Sequence, residues 1–567
     1  MNNSIESQSN TLTGAEAVVE MLKAHGVEII FGLCGDTSLP FYDALARLPH
    51  GMRHILTRDE RSAAYMADGY ARISGTVGVC EGPSGGGVTY ILPGLAEANE
   101  SSVPVLCINS DISVSARGRY TLTELDQGAL MRPVTKWNAV LDRSQDIPRV
   151  FRAAFNQMTS GRPGAAHIAL PFDVQNGPVD RSDIWGDATL GQYPARRAAP
   201  DPFYVERAAQ LLRGGSRPVF ICGGGVVIAG AEPEFLDLAE RLSAPVATTI
   251  SGKGSINEEH PLAVGVVGSN GGTLETRSIV DQADLIIFVG CRAGSVTTER
   301  WRHPAPGKVK VIHIDVDPAV LGANYRVDVP LVGDAKLALA ALNAVLATLK
   351  QPLEASAVKN AKEQKFAKFQ ALAQSNDKPI KPERVVAEMT RALDADAIMV
   401  VDAGTPCPYF SAYYPVRGTG RRFFSNRAHG ALGYSMPAAV GAHFARPGVK
   451  CVSVMGDGSF GFTCGELETV ARYKLPITFI VISNAAYGWI KAGQKSGYGQ
   501  RYFAVDFQPT DHAAVAAAFG VKSWRVTEPN DLNKALKEAL AHDGPSLVDI
   551  ICQPLHEAKA PVSEWIA

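Results

Sequence analysis

The chain has 567 residues, 55 Lys and Arg against 57 Asp and Glu, a formal net charge of -2 and 46% hydrophobic residues. That length exceeds a single hydrophobic core and suits about three domains, while the near-neutral balance lacks the basic footprint of a nucleic-acid or anionic-membrane binder. The start, MNNSIESQSN, has neither the basic nor the apolar part of a targeting signal, and no apolar run reaches membrane-span length, so a cytoplasmic protein is expected.

From 11 to 190, helical and strand patterns alternate: a helix at 14–25, strands at 28–32 and 53–57 around a helix at 40–47, a helix at 59–73, a strand at 77–80, a glycine-rich turn and a strand at 103–109. This rhythm predicts a parallel sheet covered by helices. Glu60 falls at the start of the third helix, where acidic residues suit the helix macrodipole whatever else they do. After a strand at 165–170, the Pro, Gly, Arg and Ala-rich stretch 191–202 reads as a linker.

A second α/β unit occupies 201–345. Its first strand ends in Gly223-Gly224-Gly225, but Ile228 stands where a GxGxxG fingerprint needs its last glycine. Arg292 and Asp317, each just past a strand, could hold a nucleotide or be ordinary surface ions. A charged helix at 355–374 leads to the last third, where the rhythm restarts at 381 with a strand at 397–401. A strand at 451–455 breaks at Gly456-Asp457-Gly458-Ser459, a helix follows at 464–473, and an apolar strand at 477–483 ends on Asn484-Ala485-Ala486. Both polar clusters thus lie at carboxyl ends of strands, where open parallel sheets bind ligands. Read alone, Asp457 in a glycine-rich turn is an ordinary turn residue; paired with Asn484 it offers hard oxygen ligands of the kind magnesium takes beside a phosphate. The nine cysteines and twelve histidines show no CxxC or HExxH spacing, so reduced thiols and no zinc site are expected.

The Gly-Asp-Gly at 456–458, followed by helix, strand and Asn484, resembles the diphosphate and metal motif of the thiamine diphosphate enzymes. Glu60 with AAYMADGYAR and TVGVCEGPSGGGVTYILPGLAEA resembles the pyrimidine-binding domain of the acetolactate synthase and oxalyl-CoA decarboxylase superfamily. The resemblance implies an α/β chain of three doubly wound parallel-sheet domains: pyrimidine-binding at 11–190, middle at 201–345 and diphosphate-binding at 381–552, with a tail at 553–567 as a possible lid. It implies thiamine diphosphate and magnesium as cofactors, with metal ligands Asp457, Asn484 and the carbonyl of Ala486. Glu60 would bond the aminopyrimidine N1' and act as the proton relay. Gly404, Thr405, Gly430, Gly456, Gly458, Ser459, Tyr487 and Gly488 would line the cofactor, and Leu432 would wedge between its rings. The family usually has two asparagines where this chain has Ser483-Asn484.

For the substrate, acetolactate synthases usually carry a tryptophan where this chain has Gly493; glycine there either enlarges the site or marks a flexible loop. Leu122 and Thr123 replace a Gln or a Tyr-Glu pair, Cys34, Gly35 and Asp36 stand near the acceptor position, and Glu564 with Trp565 could cap a ligand. On these features the chain looks most similar to the bacterial 2-hydroxyacyl-CoA lyase branch, which splits a 2-hydroxyacyl-CoA into formyl-CoA and a ketone or aldehyde. The alternative is an acetolactate synthase-like carboligase or a decarboxylase of a free 2-oxo acid. An ADP or coenzyme A moiety in the middle domain is compatible with the first reading, and FAD is not expected. The family's shared active sites imply a homodimer or homotetramer, with a small-molecule substrate and neither nucleic acid nor membrane as a partner.

Overall fold

A computed structural model describes residues 10–215 and 217–563. They fall into two compact units, 1–196 and 197–567.

The first unit is built on a six-stranded sheet of β2 (Ile29–Gly32), β3 (Arg53–Leu56), β4 (Gly78–Gly82), β5 (Val105–Asp111), β6 (Trp137–Val140) and β7 (Ala166–Pro171). The order is β3-β2-β4-β5-β7-β6 and every neighbouring pair is parallel. Short strands β1 (Thr11–Thr13) and β8 (Pro178–Asp180) pair antiparallel beside it. The direction of winding reverses between β2 and β4, so the loops after those strands open a crevice at the sheet's carboxyl edge. Helix α1 (Glu60–Ser74) starts where Asp59 accepts from the Arg61 N–H at 2.7 Å and stops at left-handed Gly75. It is buried on nearly every face because small residues let it lie on the sheet: a Cβ on Gly78 would stand 2.1 Å from the Ala67 carbonyl oxygen. The predicted linker is not free up to Arg196, since Thr76 bridges to Gln192, Ser160 bridges to Arg196 and the Tyr193 hydroxyl donates to the Ala71 carbonyl.

The second unit carries two sheets. The middle one comprises β9 (Pro218–Cys222), β10 (Val246–Thr248), β11 (Ala263–Val266), β12 (Leu285–Val289), β13 (Lys310–Asp315) and β14 (Val329–Val332), in the order β11-β10-β9-β12-β13-β14. That is the strand order of a dinucleotide-binding sheet. The last sheet comprises β15 (Ile398–Val401), β16 (Phe423–Ser425), β17 (Cys451–Gly456), β18 (Thr478–Ser483), β19 (Lys522–Val526) and β20 (Ser546–Ile551), in the order β16-β15-β17-β18-β20-β19. Its winding repeats that of the first unit, with the reversal now between β15 and β17. Both sheets are parallel throughout. β18 is buried along its whole length and β17 up to its last residue, as near-continuous apolar runs between two helical layers should be.

One local expectation fails. The cluster at 456–459 is not a turn before a helix at 464–473: Gly456 is the N-cap of helix α2 (Asp457–Thr463), and a separate helix spans Glu466–Arg472. Glycine disfavours helix interiors, so the sequence reads as a break, but the first turn still points backbone N–H groups at the strand end. The nine cysteines are free thiols. Among the described residues no helix is long and apolar enough to cross a membrane.

Candidate active site

Three strand ends of the last sheet converge. After β15 come Gly404, at φ +93°, and Thr405; after β17 comes Asp457; after β18 come Asn484, Ala485 and Ala486, leading to helix α3 (Gly488–Gly497). An added Cβ at Gly488 would lie 2.9 Å from Thr405 Oγ1 and 3.6 Å from Asn484 Nδ2, so the first and third loops touch. At Gly458 it would lie 2.8 Å from the Tyr487 ring, joining the second loop to the third. Added at Gly404 or Gly456 it would meet nothing within 4 Å, so bare backbone there borders open space.

Asp457 organises the crossing. Its Oδ2 accepts from the N–H groups of Asn484 at 2.7 Å and Ala485 at 2.6 Å, and its Oδ1 accepts from Gly458 at 2.9 Å. Burial raises the pKa of this carboxyl, and the three N–H donors and nearby His512 oppose the rise. These bonds hold Ala485 at φ +52°, a left-handed conformation costing about 1–2 kcal/mol for a residue with a Cβ. The Asn484 side chain is left with both amide atoms buried and without a hydrogen-bond partner. Ser459 is buried in the first turn of α2.

The loop carrying Leu432 is tied to the same edge by a residue that the sequence reading missed. Asn426 Oδ1 accepts from the Ala403 N–H at 2.9 Å, and its Nδ2 donates to the Ala431 carbonyl at 2.6 Å, so one amide positions both Gly404 and Leu432. Leu432 is half-buried, and Gly430, at φ +77°, lies in the same loop. Asp402, fully buried, accepts from the Ser435 N–H at 3.2 Å beyond the loop, and burial pushes its carboxyl up to about 7. Polar residues just past an apolar strand were the available signal for both.

In the first unit, Glu60 opens α1 and is 8% exposed. Burial raises its pKa; its own backbone N–H opposes this, and the Asp59 and Glu81 carboxylates add to the rise. A Cβ on Gly87 would stand 3.2 Å from Glu60 Oε1, and one on Gly82 3.2 Å from Glu60 Cγ, so the loop after β4 leaves room for this carboxyl. The loop after the adjacent strand β2 carries Cys34, Gly35 and Asp36, with Cys34 and Asp36 exposed. Also unforeseen is a hydroxyl chain: Thr37 Oγ1 lies 2.7 Å from Ser110 Oγ and 3.1 Å from Ser84 Oγ, which lies 2.7 Å from Thr123 Oγ1. Thr123 is therefore turned into the loop cluster while Leu122 is 84% exposed.

Residues 12–130 match the N-terminal TPP binding domain of thiamine pyrophosphate enzymes, 205–342 their central domain and 402–550 their C-terminal TPP binding domain. The chain belongs to the thiamine pyrophosphate enzyme family. It is similar to a probable acetolactate synthase large subunit of Methanocaldococcus jannaschii, 38% identical over 96% of this chain and 92% of that protein. An acetolactate synthase of Arthrospira platensis is 33% identical over 95% and 94%, and the acetolactate synthase isozyme 3 large subunit of Escherichia coli 32% over 93% and 92%. These relatives favour the free 2-oxo acid alternative over the 2-hydroxyacyl-CoA lyase branch to which Gly493 and the tail pointed.

The residues present fit the family's cofactor. Bare glycine backbone faces open space, a buried carboxylate stands beside it, and the unpartnered Asn484 amide has the oxygen donor that a metal ligand needs. Gly488 is tightly enclosed in this thiamine pyrophosphate enzyme, since a methyl there would also meet Leu555 Cβ at 3.2 Å. Gly488→Ala is expected to lose roughly 1–3 kcal/mol of stability by overpacking and to weaken cofactor binding, read by calorimetric melting with and without cofactor.

In the middle domain the glycine run serves packing: a Cβ on Gly223 would lie 2.1 Å from the Gly290 carbonyl oxygen and one on Gly225 2.5 Å from Gly290 Cα. Asp317 Oδ1 accepts from the Ala319 N–H at 3.0 Å, and the Arg292 carbonyl accepts from Asn324 Nδ2 at 3.0 Å. The relatives lend no support to an ADP or coenzyme A moiety here. The described part of the tail is pinned to this domain: Gly271 N–H donates to the Pro561 carbonyl at 2.9 Å, Ser563 N–H to the Ser269 carbonyl at 3.0 Å, and Ser563 Oγ to Glu299 at 2.8 Å. Glu564 and Trp565 lie outside the described residues. Gly493 is half-buried within α3.

Proposed function

We propose that this protein is a thiamine diphosphate- and magnesium-dependent carboligase of the acetolactate synthase type, which decarboxylates one 2-oxo acid and joins the remaining two-carbon unit to a second. The convergence of Asp457, the unpartnered Asn484 amide and the Thr405-Gly488 contact on one sheet edge carries the reading. Similarity to acetolactate synthases along nearly the whole chain supports the substrate class.

Thiamine diphosphate, when bound, supplies a thiazolium that accepts the electron pair released as carbon dioxide leaves. Asp457, Asn484 and the Ala486 carbonyl would hold magnesium, and Gly404, Thr405, Gly456, Gly458, Ser459 and Gly488 the diphosphate, with Tyr487 beside them. Leu432 would hold the rings in a bent shape, which places reacting groups together and lowers the entropic part of the barrier. Glu60, kept protonated more readily by burial, would donate to the ring nitrogen N1' and take the proton back. The exposed segment Cys34 to Asp36 and the Thr37, Ser84, Ser110 and Thr123 hydroxyls would meet the substrate carboxylate or carbonyl. As the family resemblance implies, with the cofactor lying between the pyrimidine domain of one subunit and the diphosphate domain of another, an assembly of two or four copies is proposed with the function.

The test offers the purified protein, with thiamine diphosphate and magnesium, pyruvate in one vessel and a 2-hydroxyacyl-CoA in another, read by mass spectrometry. Acetolactate and carbon dioxide in the first are expected; formyl-CoA in the second with nothing in the first would reverse the assignment. Gly493→Trp adds bulk to α3 and is expected to lower use of a larger acceptor 2-oxo acid relative to pyruvate by about tenfold, measured as a ratio of kcat/KM values.

A further inference from the structure

Directly behind the metal loop lies a buried polar network that the proposed reaction does not use. Ser483, the last residue of β18, donates from Oγ to Asp549 Oδ1 on β20 at 2.5 Å. His512, first residue of helix α4 (His512–Ala518), has Nδ1 3.1 Å from the same Ser483 oxygen and 3.4 Å from Asp549 Oδ1, and its backbone N–H donates to Asp549 Oδ2 at 3.2 Å. With the serine proton on Asp549, the imidazole must be the donor to Ser483, so Nδ1 carries hydrogen. Ser483, His512 and Asp549 are 5%, 5% and 0% exposed. The Phe460 ring of α2 packs edge-on against the imidazole with centroids 5.0 Å apart, linking the network to the helix that begins with Asp457.

This costs more than packing alone requires. A carboxylate, an imidazole and a hydroxyl are withdrawn from water, and such a group is tolerated only if fully bonded. An apolar trio would fill β18, β20 and α4 at lower cost. What the polar trio adds is direction: hydrogen bonds fix the end of β18 from behind, while Asp457 Oδ2 fixes the next two N–H groups from in front. Between these two clamps stands Asn484, whose amide is the unpartnered ligand group.

We infer that Ser483, His512 and Asp549 form a positioning network that aims the Asn484 side chain at the metal, and that Ser483 carries this role because its short hydroxyl reaches the network where an asparagine would have to displace the His512 ring. The inference rests on the magnesium reading of Asp457 and Asn484. Magnesium demands near-ideal octahedral geometry whereas calcium accepts a loose one, so a misaimed ligand weakens the two ions unequally. Removing groups that orient a ligand commonly costs about 10–100-fold in metal affinity.

The experiment titrates magnesium, and separately calcium, into the full-length protein at saturating thiamine diphosphate, following intrinsic tryptophan fluorescence and melting temperature, for wild type, Ser483→Ala and His512→Gln. Ser483→Ala is expected to weaken magnesium about tenfold or more and calcium several-fold less, with His512→Gln shifting the selectivity the same way. Wild type that shows no magnesium-dependent cofactor binding would remove the metal reading itself. Wild type that binds, with variants that keep the wild-type magnesium affinity, or lose both ions equally in step with a lowered melting temperature, would overturn the positioning role alone.

Discussion

Glu60→Gln should leave a folded protein that binds the cofactor and turns pyruvate over roughly 10²–10⁴-fold more slowly, the range removed with a general acid–base group. The amide fills the same space between Gly82 and Gly87 and can still bond a ring nitrogen, but it holds no proton to hand over. The same variant should be more thermostable than wild type at neutral pH. Burial raises the folded-state pKa of Glu60, so the folded protein binds this proton more tightly than the unfolded chain. The corresponding stability is complete below the ordinary carboxylate range and is lost as pH rises through the raised pKa, whereas the amide loses nothing. Melting curves from pH 4 to pH 8 should therefore show the variant ahead at the upper end and the gap closing at the lower. A variant that is slow but no more stable at pH 8 would mean that the carboxyl is not strained by its burial.

The parts of the architecture that can be read from the sequence are those in which one strand or one turn carries the signal. β17 and β18 are apolar runs too short for helices, and each is followed directly by a polar residue, so Asp457 and Asn484 could be placed at strand ends without the fold. The residues that were not legible act through partners distant in sequence. Asn426 matters because it spans from Ala403 to Ala431, and Ser483 because Asp549 comes to lie 66 residues later beside it. A weak signal existed in SLVDII and VGVCEG, where Asp549 and Glu81 interrupt strands buried on both faces, since carboxylates are almost never buried without a partner. Glu81 has such partners: its Oε1 accepts from the Tyr42 hydroxyl and lies 3.3 Å from His54 Nε2. The substrate branch, for which the relatives favour the acetolactate synthase-like alternative, is hard to read for a related reason. Gly493 and the tail are single features whose meaning depends on what they pack against, and the tail up to Ser563 packs on the middle-domain loop Ser269 to Gly271.

Asp457→Asn should abolish magnesium-dependent cofactor binding, by two effects that separate experimentally. The first is charge. In the proposed site magnesium would be held by a single carboxylate among neutral ligands, and an amide in its place would leave the ion and the diphosphate with no protein anion between them; a loss of at least about a hundredfold in affinity corresponds to roughly 2.7 kcal/mol. The second is direction. Asp457 Oδ2 accepts from both Asn484 and Ala485, and Oδ1 from Gly458; an asparagine has one oxygen, so its NH2 must face N–H donors on one side. Leaving a buried donor unpaired costs about 1–3 kcal/mol, and release of Ala485 from its left-handed conformation would follow. The variant should therefore melt below wild type even without cofactor. Burial raises the folded-state pKa of Asp457, so wild type gains stability as pH falls through that pKa, whereas the amide gains nothing. Wild type's lead in melting temperature should widen there, while the difference in magnesium binding at neutral pH stays complete. A variant that melted with wild type at neutral pH yet still lost the metal would assign Asp457 to charge alone, and the aim of Asn484 would then rest entirely on the contacts behind it.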